Sequence, residues 1–151
     1  MENNNNKEAG AKVVQLRTQL VSQGHTRNLL AETDLMTLRI HCYAPGIGEN
    51  ALHSHTKEDH IFLVLEGVAQ FNTGRDGKTV VDAHKNHAGV LPAGCYYQFR
   101  NSGDSPLVMA RIGAGSDKQD QRLNPDGSAI PGRTHEQGAA RPVLIEGAFF
   151  E

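Results

Sequence analysis

Three histidines within eight positions are the residues of this chain whose spacing most suggests chemistry. They stand in HSHTKEDHIFLVLEG, residues 53–67, where a polar stretch runs into an apolar one. His53 and His55 are two apart, so in an extended segment both rings project from the same face. His60 follows a stretch that can turn or bulge, and its ring can close the same triangle. Neutral imidazole is the commonest metal ligand, so this spacing predicts a three-histidine site for one divalent first-row metal.

The alternative interpretation is three solvated histidines in a polar loop. A lone histidine would favour that alternative, because polar side chains in loops are mostly exposed. Three histidines at this spacing, leading directly into an apolar segment, favour the metal site. The rings can meet only if the neighbouring segments hold them, so the elements around them matter next.

Those segments predict short β-strands. Apolar runs alternate with turn signals, beginning with KVVQL at residues 12–16. In DLMTLRIHCY, alternation places Ile40 and Cys42 on one face and Arg39 and His41 on the other. IFLVLEG is apolar on both faces, which is typical of a central strand, and TGRDG predicts a hairpin turn. About eight to ten such strands without helical periodicity predict an all-β antiparallel sandwich or barrel.

The two ends of the chain differ from this pattern. Residues 1–10 carry four asparagines and almost no apolar side chain, so we expect a disordered tail. Residues 11–115 are the predicted barrel. Residues 116–151 hold many turn formers, and VLIEGAFF at their end is the part able to pair as a strand. We expect an arm that either covers the barrel mouth as a lid or swaps across a dimer partner.

Two groups of residues have the spacing of a known pair of motifs. In the first group, His53 and His55 are followed by four residues, position 60, six residues and Gly67. Gly46 and Gly48 stand one position to either side of the expected opening glycine.

The second group contains Pro92, Gly94 and Asn101 at the expected positions, while Asn86 replaces an opening glycine and Tyr97 replaces a histidine. In these motifs, over about residues 35–115, the chain resembles the small single-domain proteins of the cupin superfamily. The resemblance implies a double-stranded antiparallel β-helix, or jelly-roll barrel, that is commonly dimeric and holds any metal inside.

The departures from the family pattern concern the ligands. His60 occupies the usual glutamate position; Glu58 and Asp59 are close, but the six-residue spacing to Gly67 selects position 60. The resemblance therefore implies His53 and His55 as ligands by match and His60 by position.

Tyr97 can bind a metal as phenolate, donate a hydrogen bond to a substrate or fill space. Because an ordinary phenol has a pKa near 10, we favour a substrate-facing or supporting role.

Replacing glutamate by histidine changes the charge of the site. Three neutral histidines leave a divalent metal with two net positive charges, whereas a set with one glutamate leaves one, so the predicted site favours an anion. Three protein ligands also leave open positions for a bidentate substrate and for dioxygen or water. Family members with three-histidine sites include thiol and diketone dioxygenases that use ferrous iron, so the resemblance points to the same chemistry.

The predicted function is a mononuclear metalloenzyme, a dioxygenase acting on a small chelating organic anion. Fe(II) is the preferred metal, with nickel, zinc, manganese, copper and cobalt as alternatives. Tyr97 orients the substrate, and Arg111 is a candidate for anion binding because it shares a strand face with Leu107 and Met109; surface pairing is its alternative role. One alternative function is a metal-dependent lyase or isomerase with Tyr97 transferring a proton. Another is a non-catalytic binding or regulatory cupin.

The composition and charge of the chain limit the kinds of partner that we expect it to bind. The chain has 151 residues, enough for one domain, and its 15 basic and 17 acidic side chains nearly cancel. We therefore expect no nucleic-acid partner. No apolar window reaches the length of a membrane span and the first residues lack a secretion signal, so we expect no membrane association and a cytoplasmic location. The expected partners are a small anionic substrate and, by resemblance, a second copy of the chain.

Overall fold

The regular structure of the chain is a set of antiparallel β-strands. The computed structural model describes residues 8–115, 120–131 and 141–151, so most of the predicted tail and parts of the predicted arm lie outside the described residues. Within those ranges the strands, in chain order, are β1 Thr18–Gln23, β2 His25–Glu32, β3 Met36–Tyr43, β4 Gly48–His55, β5 Asp59–Glu66, β6 Ala69–Thr73, β7 Thr79–Ala83, β8 Ala88–Leu91, β9 Tyr97–Asn101, β10 Leu107–Ala114, β11 Arg122–Leu123 and β12 Val143–Phe150. The all-β prediction is confirmed.

Ten of these strands form two facing sheets of five. The first sheet has the order β2-β3-β10-β5-β8, and the second has the order β11-β4-β9-β6-β7. From β3 to β10 the chain crosses repeatedly between the sheets, which is the winding of a jelly-roll barrel. Apolar and aromatic side chains from both sheets form the core between them. The predicted double-stranded β-helix is therefore confirmed.

A third, two-stranded sheet lies outside the barrel. It pairs β1 with β12, and its buried Val21 packs with Ile40 and Cys42 of β3. The prediction that KVVQL forms the first strand is wrong, because β1 begins two residues later at Thr18. A strand forms where its backbone groups can hydrogen-bond to a neighbouring strand. β12 is that neighbour for residues 18–23, whereas within KVVQL the side chain of Val13 is 98% exposed.

The strand β3 buries both of its faces in its second half. Ile40 and Cys42 pack under the outer sheet, whereas Arg39 and His41 line a cavity inside the barrel. The alternation of the two faces was predictable, but the polar face points inward because the outer sheet covers the apolar one. Both Cys42 and Cys95 are free thiols.

Two departures from the expected glycines have local explanations. Asn86 has φ 69°, in the left-handed region that asparagine tolerates better than most residues, so it can replace the opening glycine of the second motif. At Gly48, a Cβ atom would overlap the backbone carbonyl of Phe99 on the neighbouring strand. The close approach of β4 to β9 therefore requires glycine at position 48.

Candidate metal centre

A cavity of about 520 Å³ lies between the two sheets. Its lining combines imidazole, guanidinium and carboxylate groups with the rings of Phe62 and Tyr97, and residues 120–122 and 129–131 border it. Among the described residues, the charged side chains in the lining are four arginines and three acidic residues: Arg27, Arg39, Arg111, Arg122, Glu49, Glu58 and Asp120. The cavity is thus a polar, slightly basic chamber inside an apolar barrel.

Three side chains in this cavity place their ligand atoms together. The donor atoms of His55, Glu58 and His60 all lie within 4.8 Å of one another. His55 ends β4 in one sheet, His60 stands near the start of β5 in the other, and the short connection between the strands carries Glu58. The two rings have centroids 4.1 Å apart. The turn that changes sheets therefore assembles the cluster.

His55 is oriented by a carboxylate from the segment after the barrel. Its Nδ1 lies 2.7 Å from Oδ2 of Asp120, whose Oδ1 accepts hydrogen bonds from the backbone N–H groups of Lys57 and Glu58 at 2.8 and 3.1 Å. Burial lowers the pKa of His55, and Asp120 partly opposes that shift. A neutral ring that donates from Nδ1 keeps a lone pair on Nε2, which is how carboxylate-oriented histidines bind metals.

His60 is buried among three polar groups. Its Nδ1 lies 3.0 Å from the hydroxyl of Tyr97, and its Nε2 lies 2.7 Å from Nη2 of Arg111 and 2.9 Å from Oε2 of Glu58. Burial and then the charge of Arg111 lower the pKa of His60 to about 2, so the ring is neutral. Because Arg111 donates to Nε2, the Nδ1 carries the proton and donates to Tyr97.

The surroundings of His60 test whether a metal fits the site. A ring lone pair and a carboxylate oxygen 2.9 Å apart repel each other unless a positive charge stands near both. Arg111 supplies that charge here, since its Nη2 is 3.7 Å from the same Glu58 oxygen. Nitrogen and carboxylate donors suit a divalent transition metal, so the donor set fits. One lone pair cannot serve two partners, so binding through Nε2 of His60 requires the guanidinium to move.

His53 stands beside this group rather than within it. Its ring centroid is 5.1 Å from that of His55, its Nδ1 donates to the Ala51 carbonyl at 2.7 Å, and its Nε2 is buried without a hydrogen-bond partner among the described residues. Oε1 of Glu49 lies 3.6 Å from this Nε2. The unpartnered nitrogen is suited to a ligand, and the three-histidine set stays a prediction.

Tyr97 and Arg111 both face the interior. Tyr97 is 2% exposed, and burial raises the pKa of its phenol well above the usual value, so the hydroxyl keeps its proton. Its ring lies 4.7 Å from that of His53. The structure places Arg111 in the cavity beside His60 instead of on the surface. The two side chains predicted to contact substrate are thus close to the candidate ligands.

Sequence reasoning missed two residues of this site. Glu58 was set aside because the spacing to Gly67 selects His60, yet the turn brings both side chains to the same point. Asp120 contacts His55 from 65 positions further along the chain. A histidine next to a turn of mixed acidic residues was a signal for Glu58, whereas no motif marks Asp120.

The comparisons with known proteins agree on the fold. The profile of the cupin domain matches residues 39–113, about half of the chain. No curated protein matches the chain. Among the described residues, no helix has the length and apolar character to cross a membrane.

Three solved structures illustrate the similarity. An uncharacterised conserved protein with a double-stranded β-helix domain from Klebsiella pneumoniae is 19% identical, with TM-score 0.57, over 66% of this chain and 84% of that one. KdgF from a Halomonas species is 18% identical, with TM-score 0.54, over 62% and 82%. An oxalate oxidase is 18% identical, with TM-score 0.51, over 65% and 54%. With the two motifs and the winding of the barrel, these matches show that the chain belongs to the cupin superfamily.

Proposed function

We propose that this chain is a mononuclear metal-dependent enzyme, a dioxygenase that acts on a small chelating organic anion, with Fe(II) as the preferred metal. The observation that carries the proposal is the group of His55, Glu58 and His60 inside an arginine-lined cavity. A divalent metal held there supplies open coordination positions for a chelating anion, and ferrous iron adds the redox chemistry that oxygenation by dioxygen requires.

The charge of the cavity supports an anionic substrate. With His55, Glu58 and His60 as ligands, a divalent site keeps one net positive charge; with three histidines it keeps two. In the part of the lining that the structure describes, four arginines outnumber three acidic side chains, and Asp120 is already engaged by His55 and two backbone N–H groups. Both ligand sets therefore leave the cavity with an excess of positive charge for an anion to neutralise.

Arg111 is the side chain best placed to receive the substrate. Its guanidinium donates to the neutral Nε2 of His60 at 2.7 Å, and a carboxylate is a stronger, bidentate acceptor for the same group. An incoming carboxylate can thus draw Arg111 away and free the His60 lone pair. Phe62 contributes an apolar wall that limits water near the ligands.

A second candidate function is a metal-dependent lyase or isomerase. The hydroxyl of Tyr97 accepts from Nδ1 of His60 at 3.0 Å, so its own proton is free to be donated to a substrate in the same cavity. In that function Tyr97 is a proton-transfer group, so Tyr97→Phe removes most turnover. In the dioxygenase function the phenol orients the ring and the substrate, and the loss is smaller.

The oxalate oxidase similarity gives limited support. By its name that protein oxidises a small carboxylate anion, and its structure has also been determined with the substrate analogue glycolate. At 18% identity the likeness shows the fold alone. The name of that protein suggests an oxidoreductase acting on a small acid, but it identifies neither the reaction nor the substrate of this chain.

The deciding experiment measures metal content and oxygen use together. Protein purified without a histidine tag is analysed for bound metals and then supplied with a panel of α-keto acids, α-hydroxy acids and catechols. We expect iron to support turnover, with oxygen uptake matching substrate consumed and no turnover without oxygen. Turnover that continues in the absence of oxygen contradicts the dioxygenase and favours the lyase or isomerase. Ligand-induced stabilisation without any product contradicts both and favours a binding protein.

A further inference from the structure

We propose that the cavity contains a second anion-binding subsite, formed by Arg27, Arg39 and His41, which holds the second carboxylate of a small dicarboxylate substrate. The inference rests on the proposed function, because it narrows the substrate class of the same cavity. It concerns side chains of β2 and β3, which lie toward the other edge of the first sheet from β5, the strand that carries His60.

The strand pairing brings these three side chains to one place. Arg27 of β2 is directly opposite His41 of β3, and Arg39 stands two positions before His41 on the same face. All three line the cavity that contains the His55, Glu58 and His60 group. A basic face on β2 and β3 therefore shares one chamber with the candidate metal centre.

His41 has a buried nitrogen that lacks a partner. The side chain is 4% exposed, its Nδ1 lies 2.9 Å from the hydroxyl of Tyr43, and its Nε2 has no hydrogen-bond partner in the described part of the chain. The same hydroxyl accepts a hydrogen bond from Nε of Arg27 at 3.3 Å, so its own proton is directed to Nδ1 of His41. The Nε2 then carries a hydrogen, and a buried N–H without an acceptor is rare in folded proteins.

The charges around His41 favour an anion as that acceptor. Burial lowers the pKa of His41 well below the usual value, and the next causes are the charges of Arg27, Arg111 and Arg39. Glu49 is the carboxylate of the lining that acts on Arg27, and it faces His53 at 3.6 Å. A neutral N–H donor among guanidinium groups is a favourable place for a carboxylate, which accepts from all of them.

The ring of Phe62 lies beside the histidines of both groups. The centroid of His41 lies 6.0 Å from that ring, and the centroid of His60 lies 6.4 Å from it on the same strand. A substrate that reaches both groups passes beside this apolar ring, so we expect its two anionic groups to be joined by a short apolar spacer. Oxalate, whose carboxylates are bonded directly to each other, has no such spacer and serves as the contrast.

The test measures binding to metal-free protein by calorimetry, so it does not depend on turnover. Glutarate has two carboxylates separated by a spacer, valerate has the same chain length with one carboxylate, and oxalate has no spacer. We expect the Kd for glutarate to be about tenfold lower than for valerate or oxalate. Arg39→Gln should abolish this preference, while Arg100→Gln, on an exposed side chain of β9, should keep it. Equal affinities for glutarate and valerate overturn the proposal, as does a preference that survives Arg39→Gln.

A second measurement uses the unmodified chain, in case a variant fails to fold. Nitrogen NMR of the His41 ring should show a change at Nε2 when glutarate is added and none with valerate; an unchanged Nε2 signal under saturating glutarate overturns the subsite. A glutarate preference in a protein that shows no oxygen uptake keeps the subsite and rejects the dioxygenase. Oxygen uptake by a protein that lacks the glutarate preference keeps the dioxygenase and rejects the subsite.

Discussion

The interior of this barrel has an apolar half and a charged half, built from the same strands. In the apolar half, the ring of Phe99 lies 5.2 Å from Tyr43, 5.0 Å from Phe62 and 5.6 Å from Phe71. In the charged half, imidazole, guanidinium and carboxylate groups line the cavity. On β5, His60 and Phe62 are consecutive inward positions, so one step along a strand separates a candidate ligand from the core.

The contrast shows how the barrel can hold costly polar groups at fixed positions. Packed aromatic rings stabilise the fold and restrict the motion of the strands, so the side chains at the next inward positions are also held in place. The charged half instead holds the buried histidines His41, His55 and His60 among charged side chains. Substitutions in the two halves should therefore have different effects: loss of stability in one and loss of ligand binding in the other.

The largest expected effect is on the apolar half. Phe99→Ala removes a 2% exposed ring from the centre of the aromatic cluster and should lower the free energy of unfolding by about 3–5 kcal/mol. Urea unfolding of metal-free protein measures it. Val81→Ala, at a side chain 53% exposed, is the matched control and should change stability by less than about 0.5 kcal/mol. Similar losses in both variants would show that the aromatic cluster is not the stabilising half.

The next effect concerns the ligands of the charged half. Glu58→Gln keeps the shape of the side chain but removes its charge, so we expect metal affinity to fall by about a hundredfold or more, with metal-free stability nearly unchanged. Metal titration followed by calorimetry measures the affinity. His84→Ala, at an exposed histidine outside the cavity, is the control. A larger loss in His53→Ala than in Glu58→Gln would instead favour the three-histidine set.

Asp120 should have a smaller effect on the same half, because it acts through His55. Asp120→Asn weakens the hydrogen bond to Nδ1 and loosens the orientation of the ring, so metal affinity should fall about 10–100-fold. Nitrogen NMR should also show a changed tautomer population at His55. Asp126→Asn, at an exposed carboxylate that bonds Ser128 within its own turn, is the control from the same segment. An unchanged tautomer together with unchanged affinity would remove Asp120 from the site.

The last prediction is a pH dependence of stability. The folded state lowers the pKa values of His41, His55 and His60. At pH values between these lowered pKa values and about 6.5, the unfolded chain therefore binds more protons than the folded chain. The free energy of unfolding of metal-free protein should therefore fall as pH decreases below about 6.5, by at most about 1.4 kcal/mol per pH unit for each histidine. Urea unfolding at several pH values measures it.

One variant gives the pH prediction a control. His60→Asn should reduce the slope of stability against pH by the contribution of one proton, because asparagine does not titrate. A slope that is flat in the parent chain would mean that the buried histidines are not held neutral. A slope that is unchanged in His60→Asn would assign the pH dependence to other groups.

Much of the fold was predictable because its signals are local. Alternation along β3 and the paired motif spacings predict strands and their connections, and VLIEGAFF forms β12 as expected. The strand predicted at KVVQL is wrong because pairing is not a local signal. An apolar run becomes a strand only where another strand pairs with it. Asn86 could replace a motif glycine because its backbone tolerates positive φ.

The sequence alone determined that His53 and His55 share a face, that His60 opens the next strand and that Tyr97 stands at a motif position, because these are properties of spacing along one chain segment. The tertiary structure decided which groups meet. It brought Glu58 into the cluster through a turn between sheets, placed Asp120 behind His55 and turned Arg39 and His41 inward under the cover of β1. Contacts between distant segments depend on how sheets pack, and no local period along the chain records that.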